Sequence, residues 1–182
     1  QAVRLGHVLD YHFQHIHSLA SENNSAGIMT YIAGIEKRIE DASLQTFCQN
    51  ETVNLILSAF HQKADRQNIQ LDIQADIPQK LSLPDADLCV IISNALENAV
   101  NATGKVTGRP KLIRFESHTK NDQLFLEISN PYEGDVQIVN GEPQSCGEGG
   151  IGTKSIALMV RAHGGLFNFE ARNGNFILRI IL

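Results

Sequence analysis

The sequence is poor in the features that staple a small protein or send it to another compartment. Among its 182 residues are three cysteines. Cys48, Cys89 and Cys146 are odd in number, far apart and without C-x-x-C spacing, so neither a disulfide framework nor a zinc site is expected. A reducing, cytoplasmic setting fits that usage. No apolar run reaches the ~18 residues needed to span a bilayer, and no charged-then-apolar leader is present. A Lys/Arg run or basic stripe is missing too, and 15 basic against 20 acidic residues leave a formal net charge of −5. Nothing electrostatic therefore points to nucleic acid or an anionic membrane as a partner, and small molecules or proteins fit better. The first residue is Gln rather than Met, so the chain is expected to be the cytoplasmic part of a longer protein, with any membrane domain in a preceding region.

What is present is the profile of a soluble globular protein, 42% hydrophobic and 19% charged, long enough for one core with a small appendage. Leu5, Leu9, Phe13, Ile16 and Leu19 follow the three-and-four spacing of a helix stripe. After the cap-rich break "SENNS", Ile28, Ile32, Ile35 and Ile39 recur at 4, 3, 4, the a/d seam of a second helix. Residues 1–45 thus read as a helical hairpin. Two such helices cannot bury their stripes alone, so a four-helix bundle made from two chains, a homodimer, is predicted.

From residue 46 the pattern becomes a compact α/β unit. A helix is predicted over 51–66, a strand at "IQLDIQAD", and a helix from Asp85 to about Ala102. Strands follow at "KLIRFESH" and "QLFLEIS", joined by "TKND". A glycine-rich loop, a helix at "IGTKSIALMVRAHGG" and a strand pair around Asn173 and Gly174 complete the chain. The fold class is α+β, helices against one face of a mixed, mostly antiparallel sheet.

The most conspicuous loop is "SCGEGGIGTKS", Ser145 to Ser155. A phosphate-binding P-loop needs Lys and Ser/Thr directly after its last glycine. Here Thr153 separates Gly152 from Lys154, so the register fails. Only 27 residues follow Ser155, too few for the strands and acidic residue a P-loop fold requires. A surface loop opening a helix remains the plain alternative. Cys146 beside it has no neighbouring Lys or Arg to lower its pKa and reads as incidental rather than redox-active.

In "NALENAVNA", Asn94, Asn98 and Asn101 lie at i, i+4 and i+7, so their amides project from one face, opposite Leu88, Ile91, Ile92, Leu96 and Ala99. Asn is a middling helix former, and three in eight positions ask for a reason. One reason is a solvated polar face. The other is chemical: amide oxygens are neutral hard ligands that can hold Mg²⁺ beside a triphosphate without adding repulsive charge.

These segments together resemble a family, the GHKL ATPase domain of sensor histidine kinases. "NALENAVNA" resembles its N box, "GEGGIGTKSIALMVRAHGG" its G box with the following helix, and "NGNFILRIIL" its terminal hairpin. The resemblance covers about residues 46–182. "SNPY" at Ser129–Tyr132 is similar to the peptide-pheromone-sensing subtype, where other members carry an aspartate-glycine box. The resemblance implies ATP and Mg²⁺ as cofactors, with Asn98 coordinating the metal and Asn94 positioning the phosphates or the metal's water. Asn101 falls within the same nucleotide-binding set. Glu97 is implied as base or orienting acid, Gly150 and Gly152 as lid positions of close backbone approach, and Thr153 with its helix start as an anion site. Lys154 is implied as a phosphate contact. Asn130 stands where most members use an aspartate to accept from the adenine amino group; its carbonyl can accept too, but without charge assistance.

The same resemblance makes residues 1–45 the dimerisation and phosphoacceptor hairpin. In "HVLDYHFQHIH", Asp10, Tyr11 and His15 fit the subtype's first-helix run, but Leu9 occupies the expected phosphoacceptor position. His7, His12 and His15 remain candidates, with Asp10 orienting the imidazole. With His17 they scatter around the helix at ~100° per residue, so no metal site is expected of them. Partial burial in the bundle is the plain alternative for His12 and His15. His61, His118 and His163 read as surface or packing residues. The implied activity is transfer of the ATP γ-phosphoryl group to a histidine and on to a response-regulator aspartate. Two rivals stay open: a degenerate nucleotide-binding dimer that signals by conformation, and a serine kinase of the anti-sigma type, against which the N-terminal hairpin argues.

Overall fold

A computed structural model of the protein describes residues 16–17, 20–21, 24–32, 46–139, 141–144 and 151–182. The chain divides into two compact units, Gln1–Leu44 and Gln45–Leu182.

In the first unit, residues 16–17, 20–21 and 25–32 are helical. Asn24, within the "SENNS" break, caps the second stretch: its Oδ1 accepts from the Gly27 N–H at 2.8 Å. Ile28 and Ile32 of the expected seam are half-buried there. Ile35 and Ile39 lie outside the described residues, as do His7, Leu9, Asp10, His12 and His15.

The second unit runs α1 (Glu51–Asp65), β1 (Gln70–Ala75), α2 (Asp85–Gly104), β2 (Leu112–Lys120), β3 (Gln123–Pro131), β4 (Gln137–Val139), β5 (Glu142–Gln144), α3 (Ile151–Ala162), β6 (Leu166–Arg172) and β7 (Asn175–Ile181). Five strands form one sheet in the order β1-β2-β3-β7-β6. Only β1 and β2 pair parallel; the other ladders are antiparallel. The α+β class and the mixed, mostly antiparallel sheet are as expected from the sequence.

Two details differ. The "TKND" link is shorter than predicted, because Thr119 and Lys120 still pair with Leu124 and Gln123. Only Asn121 and Asp122 turn, with φ of 52° and 60°, and Asn and Asp are among the few non-glycine residues that accept that region. The second difference is the small β4–β5 hairpin within the stretch expected to be loop. Strands of three residues are too short to register as alternation.

Helix α1 starts where Asn50 can cap it. Its Oδ1 accepts from the Val53 N–H at 2.9 Å, while its Nδ2 donates to Asp85 Oδ1 at 3.0 Å, tying the start of α1 to the start of α2. Asp85 and Asp87 in the first turn of α2 complement the positive end of its dipole.

Alternation sorts each strand into a core face and a wet face. Ile113, Phe115 and Ser117 of β2 point inward, whereas Arg114, Glu116 and His118 are exposed. Leu88, Ile91, Ile92, Leu96 and Ala99 of α2 are buried, the stripe foreseen from the sequence. On the wet face, Arg179 donates to Glu127 at 2.6 Å and Glu170 at 2.9 Å. The bond to Glu170, then that to Glu127, holds its pKa above the ordinary arginine value. His118 stacks on Phe125 at 4.8 Å, and His61 sits 3.3 Å from Asp65, so both are packing or surface residues.

Among the described residues, one buried side-chain polar atom has no partner, the Ser117 hydroxyl. It gave up water without a replacement hydrogen bond, so Ser117→Ala should raise stability by about 1 kcal/mol. Denaturant unfolding would read this as a higher midpoint at unchanged slope; a lower midpoint would show that the hydroxyl does find a partner.

Candidate functional site

Between the core face of the sheet and α2 lies a cavity of about 480 Å³. Its floor comes from three adjacent strands. Asn130 of β3 pairs with Phe176 of β7, and Ile128 with Leu178. Phe169 of β6 lies beside Leu178. All five line the cavity. Ala95, Asn98 and Ala102 form the α2 wall at i, i+3 and i+7. Thr153 and Ile156 bring in α3, and Tyr132 and Lys105 contribute to the rim. The lining is mostly apolar with a few polar groups, which suits a heteroaromatic ring carrying a polar tail.

The polar groups fall toward two regions along α2. Near its C-terminal end Asn130 is buried, at 4% exposure. Its Nδ2 donates to the Pro131 carbonyl at 2.9 Å, and its Oδ1 accepts from no described residue. The Thr103 hydroxyl reaches the same carbonyl at 3.5 Å, fixing this part of β3 against α2. Toward the middle of α2, Asn98 meets the first turn of α3. A Cβ placed on Gly152 would lie 3.0 Å from both Asn98 Oδ1 and Nδ2, so a glycine there lets the two helices close on the amide. Asn98 is half-buried and makes no hydrogen bond among the described residues. A polar side chain held in a cavity without a protein partner is what a ligand or metal site requires.

The structure brings Asn98, Asn101, Asn130 and Thr153 to one cavity, with Gly152 against Asn98. Asn94 sits one turn away, donating to the Val90 carbonyl at 2.8 Å and to Ser155 Oγ at 3.4 Å. It is therefore a bridge between α2 and α3. Glu97 faces α1 and pairs with Lys63 at 2.5 Å, while accepting from Asn101 at 3.3 Å. Neither Asn94, Glu97 nor the exposed Lys154 is among the lining residues. Gly147, Gly149, Gly150 and Cys146 lie outside the described residues. His163, the remaining lone histidine, pairs with Asp87 at 2.8 Å.

Among the described lining residues Lys105 is the one that is charged, and sequence reading did not single it out. Its signal was its position, seven after Asn98 on the same helical face. Phe169, Phe176 and Leu178 carried no signal distinct from core strand residues.

Residues 83–182, more than half of the chain, match the family model of the GHKL domain. No curated protein matches the sequence. Among solved structures, the catalytic domain of the histidine kinase ThkA aligns with a TM-score of 0.56 at 17% identity, over 73% of this chain and 92% of that one. The mycobacterial sensor histidine kinase MprB aligns with a TM-score of 0.54 at 16% identity, over 72% and 93%. The Acinetobacter baumannii histidine kinase AdeS aligns with 0.54 at 13%, over 97% and 96%. At such identities the likeness is one of fold. No described helix is long and apolar enough to cross a membrane.

Proposed function

The chain belongs to the GHKL domain family, and we propose that its cavity binds ATP with Mg²⁺ to serve a protein histidine kinase of the two-component type. The subtype suggested by "SNPY", a peptide-pheromone-sensing kinase, is part of the same reading. Residues 46–182 are the nucleotide-binding unit, and residues 1–45 the hairpin that dimerises and offers the phosphoacceptor. A response-regulator protein receives the phosphoryl group, and the chain is the cytoplasmic part of a membrane-anchored sensor.

The observation that carries the reading is the pairing of an apolar slot with two unlike amides. Asn130, whose Oδ1 accepts from no described residue at the cavity wall, suits the exocyclic amino group of adenine. Asn98, whose side chain bonds no other described residue and lies against Gly152, suits a hard cation and the phosphates next to it. The residues present therefore fit the implied metal. Bound Mg²⁺ would neutralise charge on the triphosphate. The first turn of α3, at Gly152 and Thr153, offers the positive end of a helix dipole to the phosphates. Phosphoryl transfer asks the protein for position and electrostatics more than for covalent chemistry, in keeping with a site of amides. Glu97, paired with Lys63, supports α2 in this scheme and orients Asn101.

A second reading, nucleotide binding without autophosphorylation, is favoured by one observation: Leu9 stands at the expected phosphoacceptor position. Incubation with γ-labelled ATP and Mg²⁺ separates the two. The kinase reading expects a label on the protein that acid removes and base leaves. A label stable to acid would point to a serine kinase, and bound nucleotide with no label to the degenerate form.

A further inference from the structure

We infer that Arg109, outside the cavity, is a positioning residue that sets the base-recognising end of the site by clasping the two strand ends that form it; this rests on the nucleotide reading above. Arg109 lies in the loop between α2 and β2. Its guanidinium donates to the Tyr132 carbonyl at 3.1 Å, at the end of β3. It also donates to the Gly174 carbonyl, in the turn between β6 and β7. That carbonyl already accepts from the Tyr132 N–H at 3.1 Å. One guanidinium nitrogen, Nη2, therefore bridges the β3 exit and the β6–β7 turn.

The turn is shaped to receive it. Asn173 and Gly174 take φ of 51° and 73°, the geometry of a two-residue I′ hairpin. A Cβ on Gly174 would collide with the guanidinium. A second tie runs alongside, where the Thr107 N–H and hydroxyl donate to Glu133 Oε1 at 2.5 and 2.9 Å. The Thr107 N–H, more than its hydroxyl, holds the Glu133 carboxyl below its ordinary pKa. The loop is thus pinned on both sides of Tyr132.

What it pins are lining residues. Tyr132 and Asn130 leave β3 here, and Phe176 follows the clasped turn by two positions. Slack in this corner moves Asn130 Oδ1 relative to Phe176, which changes how an exocyclic amino group is read, while Asn98 and α3 stay as they are.

The test compares ADP with inosine diphosphate, which lacks that amino group, in calorimetric titrations with Mg²⁺ of the whole chain. In Arg109→Ala the ADP Kd should rise about fivefold while the inosine diphosphate Kd stays within about twofold, the loss of roughly one net hydrogen bond at the base. Arg109→Lys should behave like the alanine variant, because the lysine side chain is one bond shorter and its ammonium falls short of the two carbonyls. Glu133→Ala, an exposed change that leaves the core intact, should narrow the ADP preference in the same direction. Equal weakening of both nucleotides, an unchanged ratio, or full restoration by lysine would overturn the inference. Failure of the unaltered protein to bind either nucleotide would instead refute the nucleotide reading.

Discussion

Asn98→Ala should raise the Kd for ADP with Mg²⁺ by at least about 100-fold, a loss of about 2.7 kcal/mol, with little change in the unfolding midpoint. The half-buried amide makes no hydrogen bond among the described residues, so truncating it breaks no contact that the fold needs. What it removes is the proposed oxygen ligand, in a cavity whose other polar lining groups are few among the described residues. Loss of a ligand's supporting partner alone costs metal sites about 10–100-fold, and loss of the ligand itself should cost no less. Calorimetry with and without Mg²⁺ checks this. The variant should lose the metal dependence as well as affinity, and an unchanged affinity would remove Asn98 from the metal site.

Phe115→Ala should destabilise the second unit by about 3–5 kcal/mol, the range for deleting a buried aromatic ring whose surroundings cannot collapse. Phe115 is fully buried and sits between Ile73 of β1 and Ile128 of β3 in register. It therefore fills the centre of the sheet face on which the helices pack. Scanning calorimetry should show the transition lowered by about 10–20 °C. A shift of only a few degrees would mean that α2 settles into the space. Because Ile128 also lines the cavity, any collapse would show as weaker nucleotide binding too.

Much of this architecture was readable because its signals are local. The stripe of Leu88, Ile91, Ile92, Leu96 and Ala99 fixed the buried face of α2, and that left Asn94, Asn98 and Asn101 on the other side. Asn173 followed by Gly174 announced the terminal hairpin. The spacing could not say which of the three amides reaches a cavity. The Nδ2 of Asn94 donates to the Val90 carbonyl and Ser155, and the second of these bonds depends on how α3 docks 61 residues later. Likewise, the partner of Glu97 is Lys63, 34 positions away on another helix. Tyr132, Phe169 and Phe176 become cavity walls only through the β3–β7–β6 register, which a sequence does not print. The Arg109 clasp was invisible for the same reason, since its two acceptors are backbone carbonyls 23 and 65 residues distant.

The most direct test of the nucleotide site is an amide ¹H–¹⁵N titration of the isotope-labelled chain with ADP and Mg²⁺. The expected result is saturable shifts concentrated at Asn98, Asn130, Tyr132, Gly152 and Thr153, reversed when the metal is chelated. Saturable shifts that leave these amides unmoved, or no shifts at all at millimolar nucleotide, would contradict it.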